Sequence, residues 1–179
     1  MLISLQYSRI IKQKGTKMQH DTLNHKPPSD TVHFLGNLLI FRASAGDTDG
    51  TFSVAECLSA PGAGAPMHHQ KDSEAFLVTE GEVEFVLNGK ARRYRKGDFL
   101  YVRPGDVHAF QNTGSSLARM IIINLPAGPH EDFFRAVGDP VASGSETFPE
   151  IAPPDMPRIL ESAQQFGIHI LPPETATQP

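Results

Sequence analysis

The chain has 179 residues, of which 39% are hydrophobic, and its formal net charge is −4. This length and composition predict one globular domain that buries its own core. The acidic balance disfavours a dedicated nucleic-acid binder, which usually carries an excess of basic residues. No run approaches the roughly 18 consecutive apolar residues of a membrane-spanning helix, so we expect no membrane association.

Cys57 is the only cysteine, so the chain can form neither a disulfide with itself nor a cysteine-based zinc site. This cysteine usage fits the reducing cytoplasm, where we expect the protein to be located. Cys57 lies in a strand-like run with no base nearby in sequence, which favours a buried structural thiol over a nucleophile.

The sequence divides into three zones. Residues 1–30 are polar and weakly patterned, and we interpret them as a disordered or extended leader. Residues 31–125 alternate between short apolar runs and turn residues, which predicts a β-barrel domain. Residues 126–179 are rich in proline and predict a C-terminal helical extension packed on the barrel.

Strands in the middle zone are indicated by apolar–polar alternation and by frequent turn residues. The segments predicted as strands are residues 38–41, 51–58, 75–79, 83–87, 99–102 and 120–125. Asn88 and Gly89 both tolerate a positive φ and predict a two-residue hairpin. The segment 120–125 reads as an apolar strand at the centre of a sheet. Short strands at this spacing predict an all-β, antiparallel sandwich or barrel.

Two short helices are predicted in the C-terminal zone. Phe133, Phe134 and Val137 recur at helical spacing. A second helix is expected from Asp155, as its N-cap, to Gln165. We expect both helices to pack on the exterior of the barrel without a part in a functional site.

Side chains able to bind a metal ion lie in two turn-rich segments. On a strand, His68 and Gln70 face the same side and His69 faces the other. Glu74 opens the next apolar strand, and His108 follows a Pro-Gly turn. If these strands line one barrel, His68, Glu74 and His108 can converge on a point. Two imidazoles and a carboxylate can hold one divalent transition-metal ion, which would be iron, manganese, nickel, zinc, copper or cobalt.

The remaining histidines and one basic run are interpreted as structural or surface residues. The remaining histidines show no spacing typical of ligands and are interpreted as surface or hydrogen-bonded residues; they are His20, His25, His33, His130 and His169. The basic run at residues 90–96 is interpreted as the solvated face of an outer strand, because the chain as a whole is acidic.

The first of the two segments resembles the first sequence motif of the cupin superfamily. That motif is glycine, five residues, His-x-His, three or four residues, glutamate, six residues and glycine. The residues that match it are Gly62, His68, Glu74 and Gly81.

The second segment resembles the second cupin motif, which is glycine, five residues, Pro-x-Gly, two residues, histidine, three residues and asparagine. The residues that match it are Gly97, Gly105, His108 and Asn112, and Arg103 replaces the expected proline. The two matches together imply an antiparallel, jelly-roll-like cupin β-barrel with short C-terminal helices, whose motif residues hold a metal ion inside the barrel.

The first motif departs from the family pattern at its second histidine, which is Gln70 here. Three interpretations follow. The amide oxygen of Gln70 is a weaker ligand beside His68, Glu74 and His108; a bulge turns His69 inward instead; or the site holds little metal. Strand parity favours Gln70 facing inward and His69 outward.

Further similarity points to the single-domain, quercetin dioxygenase-like cupins. It includes residues 48–50, 126–138 and 159–173, so the resemblance covers about residues 31–173. Proteins of that kind use one metal ion and oxygen to open a flavonol ring, with release of carbon monoxide. The resemblance implies that Glu74 is both a metal ligand and the base for the substrate hydroxyl.

The resemblance leads us to expect a metal-dependent dioxygenase acting on a small aromatic or enolic substrate. The alternatives are a cupin isomerase or cyclase that uses the metal as a Lewis acid, and a non-enzymatic small-molecule-binding cupin. Cupins of this size commonly pair, so a homodimer is also implied. Residues that could line an apolar substrate pocket are Phe76, Phe85, Tyr101, Phe110 and Ile122.

Overall fold

The computed structural model describes residues 31–143, 145–150 and 153–172. The leader expected at residues 1–30 lies outside these ranges, and so do His20 and His25. Within the described part, the chain forms antiparallel strands arranged in two sheets, one of seven strands and one of five. The all-β barrel with short C-terminal helices that the sequence predicts is confirmed.

The strands of the described residues are β1 (Thr31–Phe34), β2 (Asn37–Ala43), β3 (Ser53–Ser59), β4 (Gly64–Gln70), β5 (Ser73–Glu80), β6 (Glu82–Leu87), β7 (Lys90–Arg95), β8 (Phe99–Val102), β9 (His108–Gln111), β10 (Ala118–Leu125), β11 (Asp139–Val141) and β12 (Ile168–Ile170). The helices are α1 (Pro129–Val137) and α2 (Met156–Gln165). The larger sheet has the spatial order β11-β1-β2-β3-β10-β5-β8, and the smaller has the order β12-β4-β9-β6-β7.

Strand β10 lies inside the larger sheet, between β3 and β5, as the apolar run at residues 120–125 predicts. Its register places Ile122 opposite Ala55 on one side and Phe76 on the other. The run is not wholly apolar, however, because Asn124 is buried within it. A buried amide needs a hydrogen-bond partner, and the partner of Asn124 is in the candidate site described below.

The main hydrophobic core lies between the two sheets, and side chains from both contribute to it. Phe85 of the smaller sheet and Met120 of the larger sheet are almost completely buried there. Burying each such side chain stabilises the fold by about 1.5–3 kcal/mol. Cys57 is fully buried in the same core, as expected of a structural thiol, and burial raises its pKa.

The two cupin-like segments are tied together by backbone hydrogen bonds. The Gly105 N–H donates to the Gln70 carbonyl at 2.7 Å, and Gly105 has a φ of 82°, which favours glycine. The Gly62 N–H donates to the Asn112 carbonyl at 2.8 Å, and the Asn112 N–H donates to the Ala63 carbonyl at 2.8 Å. These contacts hold β4 beside β9, so the ligand-type residues of the two segments are brought close together.

The basic run forms β7, which is an edge strand of the smaller sheet within the described residues. The guanidinium groups of Arg93 and Arg95 form ion pairs with Glu82 of the adjacent strand β6. Tyr94 alternates with them and packs on Phe85 with ring centroids 5.3 Å apart. This pattern is that of an outer strand with one solvated face.

The C-terminal zone does more than cover the outside of the barrel, which corrects the expectation from sequence. Strand β11 extends the larger sheet by pairing with β1, and β12 extends the smaller sheet by pairing with β4. Helix α2 begins after Asp155, whose side chain accepts a hydrogen bond from the Arg158 N–H, as an N-cap does. Helix α1 contains Phe133, Phe134 and Val137, as predicted, but it faces the interior cavity.

None of the helices in the described part of the chain is long and apolar enough to cross a membrane.

A substitution of Asn112, the last residue of the second motif, tests how far the stability of the fold depends on the two cupin-like segments. Its buried side-chain amide donates to the carbonyls of Ser59 and Ser116, both at 2.8 Å, and its Oδ1 accepts from the Gly114 N–H. We expect Asn112→Ala to lower the free energy of unfolding by about 2–4 kcal/mol, because it leaves buried backbone groups unpaired. Urea denaturation measures this loss.

The matched control for this experiment is Thr113→Ala, since Thr113 is the exposed neighbour of Asn112. Substitutions at such surface positions usually change stability by no more than about 0.5 kcal/mol. Equal effects of the two substitutions would show that the side chain of Asn112 does not hold these segments together.

Candidate metal centre

The barrel contains a cavity of about 50 Å³. Strands of both sheets form its walls, and α1 and β12 close one side. Most of its lining is apolar and includes Leu39, Phe76, Phe110, Ile122, Phe133 and Ile168. His68, Glu74 and His130 contribute the imidazole and carboxylate groups of the lining.

The motif residues with metal-binding side chains lie together: His68 and Glu74 line the cavity, and the fully buried His108 contacts both. The register of β4 and β9 pairs His68 with His108, and the centroids of their rings are 4.1 Å apart. His108 Nε2 is 3.1 Å from Glu74 Oε2. The neighbouring strands of the barrel therefore bring two imidazoles and one carboxylate into contact.

Glu74 is a buried carboxylate with several hydrogen-bond donors. Only 3% of the residue is exposed. Asn124 Nδ2 donates to Oε1 at 3.0 Å, and Gln70 Nε2 donates to Oε2 at 3.3 Å. A buried carboxylate is stable only when such partners replace its hydration. Asn124 was missed by the sequence analysis, although an amide in an apolar central strand is a signal of such a partner.

The electrostatics of the centre follow from this packing. Burial by itself raises the pKa of Glu74, but attraction to His130 and the hydrogen bond with His108 outweigh it and lower that pKa to about 2. Burial and the adjacent His108 lower the pKa of His68 to about 4. At neutral pH the centre therefore offers an anionic carboxylate and a neutral His68 imidazole, the forms that bind metal ions.

Each histidine of the centre has its Nδ1 atom held by an oxygen atom. The Nδ1 atoms of His68 and His108 lie 2.8 Å and 3.2 Å from the carbonyl oxygens of Pro66 and Asp106. His130 Nδ1 lies 2.8 Å from the Asp72 carboxylate. Contacts of this kind fix the ring and leave Nε2 as the nitrogen for a ligand.

The inclusion of His130 corrects the sequence analysis, which assigned this residue to no site. Ligand atoms of His68, Glu74 and His130 all lie within 4.8 Å of one another. Burial by itself lowers the pKa of His130, but the Glu74 carboxylate and the hydrogen bond to Asp72 raise it, and the net shift is upward. No spacing in the sequence signals this contact, because His130 lies on α1, far along the chain from both motifs.

The structure shows which side chain of the first motif faces the cavity, Gln70 or His69. Gln70 faces inward and is buried, as strand parity predicts. The pairing of β4 with β9 does shift register between Ala65 and His68, but His69 points away from the cavity. Its ring stacks on that of His169 at 4.9 Å. The idea that a bulge turns His69 into the site is therefore wrong.

The residues expected to line a substrate pocket fall into two groups. Phe76, Phe110 and Ile122 line the cavity. Phe85 does not; it packs behind Phe76 and Phe110, with centroid distances of 4.9 Å and 5.6 Å. Tyr101 lies on the outer face of the sheet, where 47% of the residue is exposed, so its assignment to the pocket is wrong.

The residues present fit a divalent transition metal. Imidazole nitrogen and carboxylate oxygen are the donors that such ions accept in proteins. His130 Nε2 is buried and has no hydrogen-bond partner among the described residues. His108 Nε2 and Glu74 Oε2 lie 3.1 Å apart, which is close enough for both atoms to bind one ion. Unpaired buried polar atoms are uncommon unless something else satisfies them.

Comparison with known proteins agrees with this geometry. The cupin domain family Cupin_2 matches residues 56–124. Quercetin 2,3-dioxygenase of Bacillus subtilis (strain 168) is 29% identical over 133 residues, which are 73% of this chain and 38% of that protein. The tetracenomycin polyketide synthase protein TcmJ of Streptomyces glaucescens is 28% identical over 117 residues, which are 65% of this chain and 74% of that protein.

Solved structures show the same fold at lower identity. An RmlC-like cupin from Shewanella frigidimarina NCIMB 400 has a TM-score of 0.52 and 19% identity, and the match covers 64% of this chain and 96% of that one. KdgF from Halomonas sp. has a TM-score of 0.50 and 18% identity, and the match covers 57% of this chain and 90% of that one.

The fold and the centre together define a small β-barrel protein with ligand-type side chains grouped at an interior cavity. The chain has the fold of the cupin structures compared above, and its residues 56–124 match the cupin domain family. Alignment with the Bacillus enzyme spans 38% of that protein's length.

The hydrogen bond from Asn124 to Glu74 can be tested by a double-mutant cycle on chelator-treated protein. We expect Asn124→Leu to lower the free energy of unfolding by about 2–3 kcal/mol, because a buried charged oxygen loses its donor. In a Glu74→Gln background the same change should cost about 1–2 kcal/mol less, since no charge is left unpaired. Equal losses in both backgrounds, measured by urea denaturation, would contradict the assigned contact.

Proposed function

We propose that the protein is a metal-dependent cupin dioxygenase that acts on a small enolic or aromatic substrate. The observation that carries the proposal is the contact of His68, His108 and Glu74 beside a largely apolar cavity. A divalent transition metal held by these residues would supply Lewis acidity and open coordination positions. In a dioxygenase both oxygen atoms of O₂ enter the product, so no external reductant is needed.

The protein's own residues have distinct parts in this proposal. His68, His108 and Glu74 would hold the metal, with their Nδ1 and carboxylate contacts fixing their orientation. The apolar side chains of the cavity would exclude water and hold a planar substrate. The neighbours of Glu74 hold its carboxylate in the anionic form, which makes it a weak base. The same carboxylate would be the group that accepts the proton of the substrate hydroxyl.

The size of the cavity favours a small substrate over a flavonol. A cavity of about 50 Å³ accommodates a compound of few non-hydrogen atoms without rearrangement of its lining. A flavonol has three rings and would have to displace Phe133 and Phe134 of α1, which line the same cavity. We therefore place small enediols ahead of flavonols as candidate substrates.

The second candidate is an isomerase or cyclase that uses the metal only as a Lewis acid. It is favoured by the match to a polyketide synthase protein, which covers 74% of that protein's length. The same ligands and the same weak base would serve this chemistry, in which the substrate is rearranged without consumption of oxygen.

Metal content is the first test of the proposal. We expect roughly one transition-metal ion per chain by elemental mass spectrometry, because the centre offers one set of ligands. Removing the metal with a chelator should lower the melting temperature by about 5–10 °C, since an ion at about 100 times its Kd stabilises the folded state by about 2.7 kcal/mol.

The control for metal content compares two histidines. His108→Ala should lose the metal, whereas His169→Ala should retain it, because His169 is exposed and stacks on His69 outside the cavity. Wild-type protein that stays metal-free after reconstitution with iron, manganese, nickel and zinc would overturn the proposal and favour a non-enzymatic binding role.

Oxygen consumption separates the two candidate activities. We expect metal-loaded protein to consume one O₂ per molecule of a small enediol converted, measured with an oxygen electrode and product mass spectrometry in ¹⁸O₂. Conversion that proceeds equally under anaerobic conditions would contradict the dioxygenase and support the isomerase or cyclase.

We further propose that the protein is a homodimer formed through the outer face of β5 and β8. On this face Leu77 lies opposite Phe99, and Tyr101 follows two residues later. Phe99 is 58% exposed, the largest exposure among the apolar residues that stand out at the described surface. Apolar patches of this kind commonly mark protein interfaces.

Sedimentation velocity tests this interface. Wild-type protein should sediment as a dimer, and Phe99→Lys should shift it to a monomer because a charge would be buried in the interface. Leu160→Lys is the matched control, since Leu160 is also exposed but lies on α2. A dimer that survives Phe99→Lys would refute this surface, and a monomeric wild type would refute the homodimer.

A further inference from the structure

The first cupin-like motif lacks an imidazole at Gln70, and the structure brings another imidazole to the same centre. We propose that His130 of α1 is a metal ligand that takes over the part of the missing histidine, and that Asp72 is its positioning residue. This inference rests on the metal site proposed above. It adds a ligand from outside both motifs and leaves Gln70 as a donor to Glu74.

The orientation of Gln70 is the first argument. Its Nε2 donates to Glu74 Oε2 at 3.3 Å. Turning the amide over would place its oxygen against the carboxylate, which is repulsive. The amide therefore presents nitrogen to the centre, and an amide nitrogen that keeps its protons is not a metal ligand. Gln70 supports the carboxylate and does not replace the imidazole.

The position of His130 is the second argument. Ligand atoms of His130, His68 and Glu74 lie within 4.8 Å of one another. Donors around one zinc-like ion at about 2.1 Å are at most about 4.2 Å apart. Shifts of well under 1 Å in these side chains would thus bring all three atoms onto one ion. His130 is 3% exposed, so solvent does not compete for its ring.

The hydrogen bonding of His130 is the third argument. Its Nδ1 is 2.8 Å from Asp72 Oδ2, and its Nε2 is buried without a hydrogen-bond partner among the described residues. A histidine that ligates a metal through Nε2 commonly donates its Nδ1 proton to a carboxylate, which fixes the tautomer and strengthens the ligand. Asp72 lies between β4 and β5, so it is placed by the same segment that carries His68 and Glu74.

A purely structural part for His130 makes different predictions. A histidine that only ties α1 to Asp72 would affect stability but would leave the number of imidazoles on the metal unchanged. A ligand changes that number. The experiment therefore counts coordinated imidazoles as well as measuring affinity, and neither readout depends on catalytic activity.

Pulsed electron paramagnetic resonance of the Cu(II)-loaded full-length protein provides the count. We expect modulation from three imidazoles in the wild type, which are His68, His108 and His130, and from two in His130→Gln. His69→Gln is the matched control and should keep three, because His69 stacks on His169 away from the cavity. Two imidazoles in the wild type would overturn the inference without the need for any variant.

Zn(II) affinity, measured by competition with a chromophoric chelator, gives the second readout. We expect Asp72→Asn to weaken binding by about 10–100-fold, as loss of a carboxylate partner of a ligating histidine does. His130→Gln should weaken it by at least as much, and adding Gln70→His to that variant should restore an imidazole and most of the affinity. Circular dichroism of the metal-free variants checks that they remain folded.

The outcomes distinguish this inference from the proposed function. Wild-type affinity in folded His130→Gln would overturn the inference and leave the proposed metal site intact. Failure of the wild type to bind Cu(II) or Zn(II) would overturn both. Loss of affinity in His130→Gln with an unchanged imidazole count would assign His130 a structural part and also overturn the inference.

Discussion

The charge of one buried carboxylate governs the construction of this centre. Glu74 lies inside the barrel, where an ionised group without partners would cost several kcal/mol. Its neighbours are arranged to avoid that cost: Asn124 and Gln70 donate to its two oxygens, and His108 contacts it directly. Because these partners come from β10, β4 and β9, satisfying one carboxylate requires both sheets to be in register. The same requirement draws the imidazoles into reach of a single point.

Much of the barrel could be read from local patterns. The hairpin at Asn88 and Gly89 requires positive φ at both positions, and both have it. The helix after Asp155 follows from a side chain that can cap it. The spacing of His68, Glu74 and His108 also carries real information, because strand periodicity and turn length fix which side chains face inward. In each case the deciding physics acts within a few residues or between adjacent strands.

The features that could not be predicted depend on contacts between distant parts of the chain. His130 shows no ligand-like spacing, and only the packing of α1 over the barrel brings it to Glu74. Tyr101, Phe85 and Phe76 all lie in strands that the sequence predicts, but only Phe76 reaches the cavity. Tyr101 is on the outer face of its strand, and Phe85 is buried behind the residues that line the cavity. Asn124 combines both situations. Its polar side chain in a central strand is a local signal of a buried hydrogen bond, but its partner Glu74 is 50 residues away in the chain.

The elements that close the cavity are synthesised after the strands that carry both motifs. Helix α1 and strand β12 come from residues 129–170, after the strands that carry both motifs. A chain emerging from the ribosome can thus present His68, Glu74 and His108 before Phe133, Phe134 and Ile168 exist to cover them. Until α1 and β12 are made, none of their side chains covers that side of the interior. The growing chain, more than the mature fold, is therefore the form that a metal ion or a bulky molecule can enter with least obstruction.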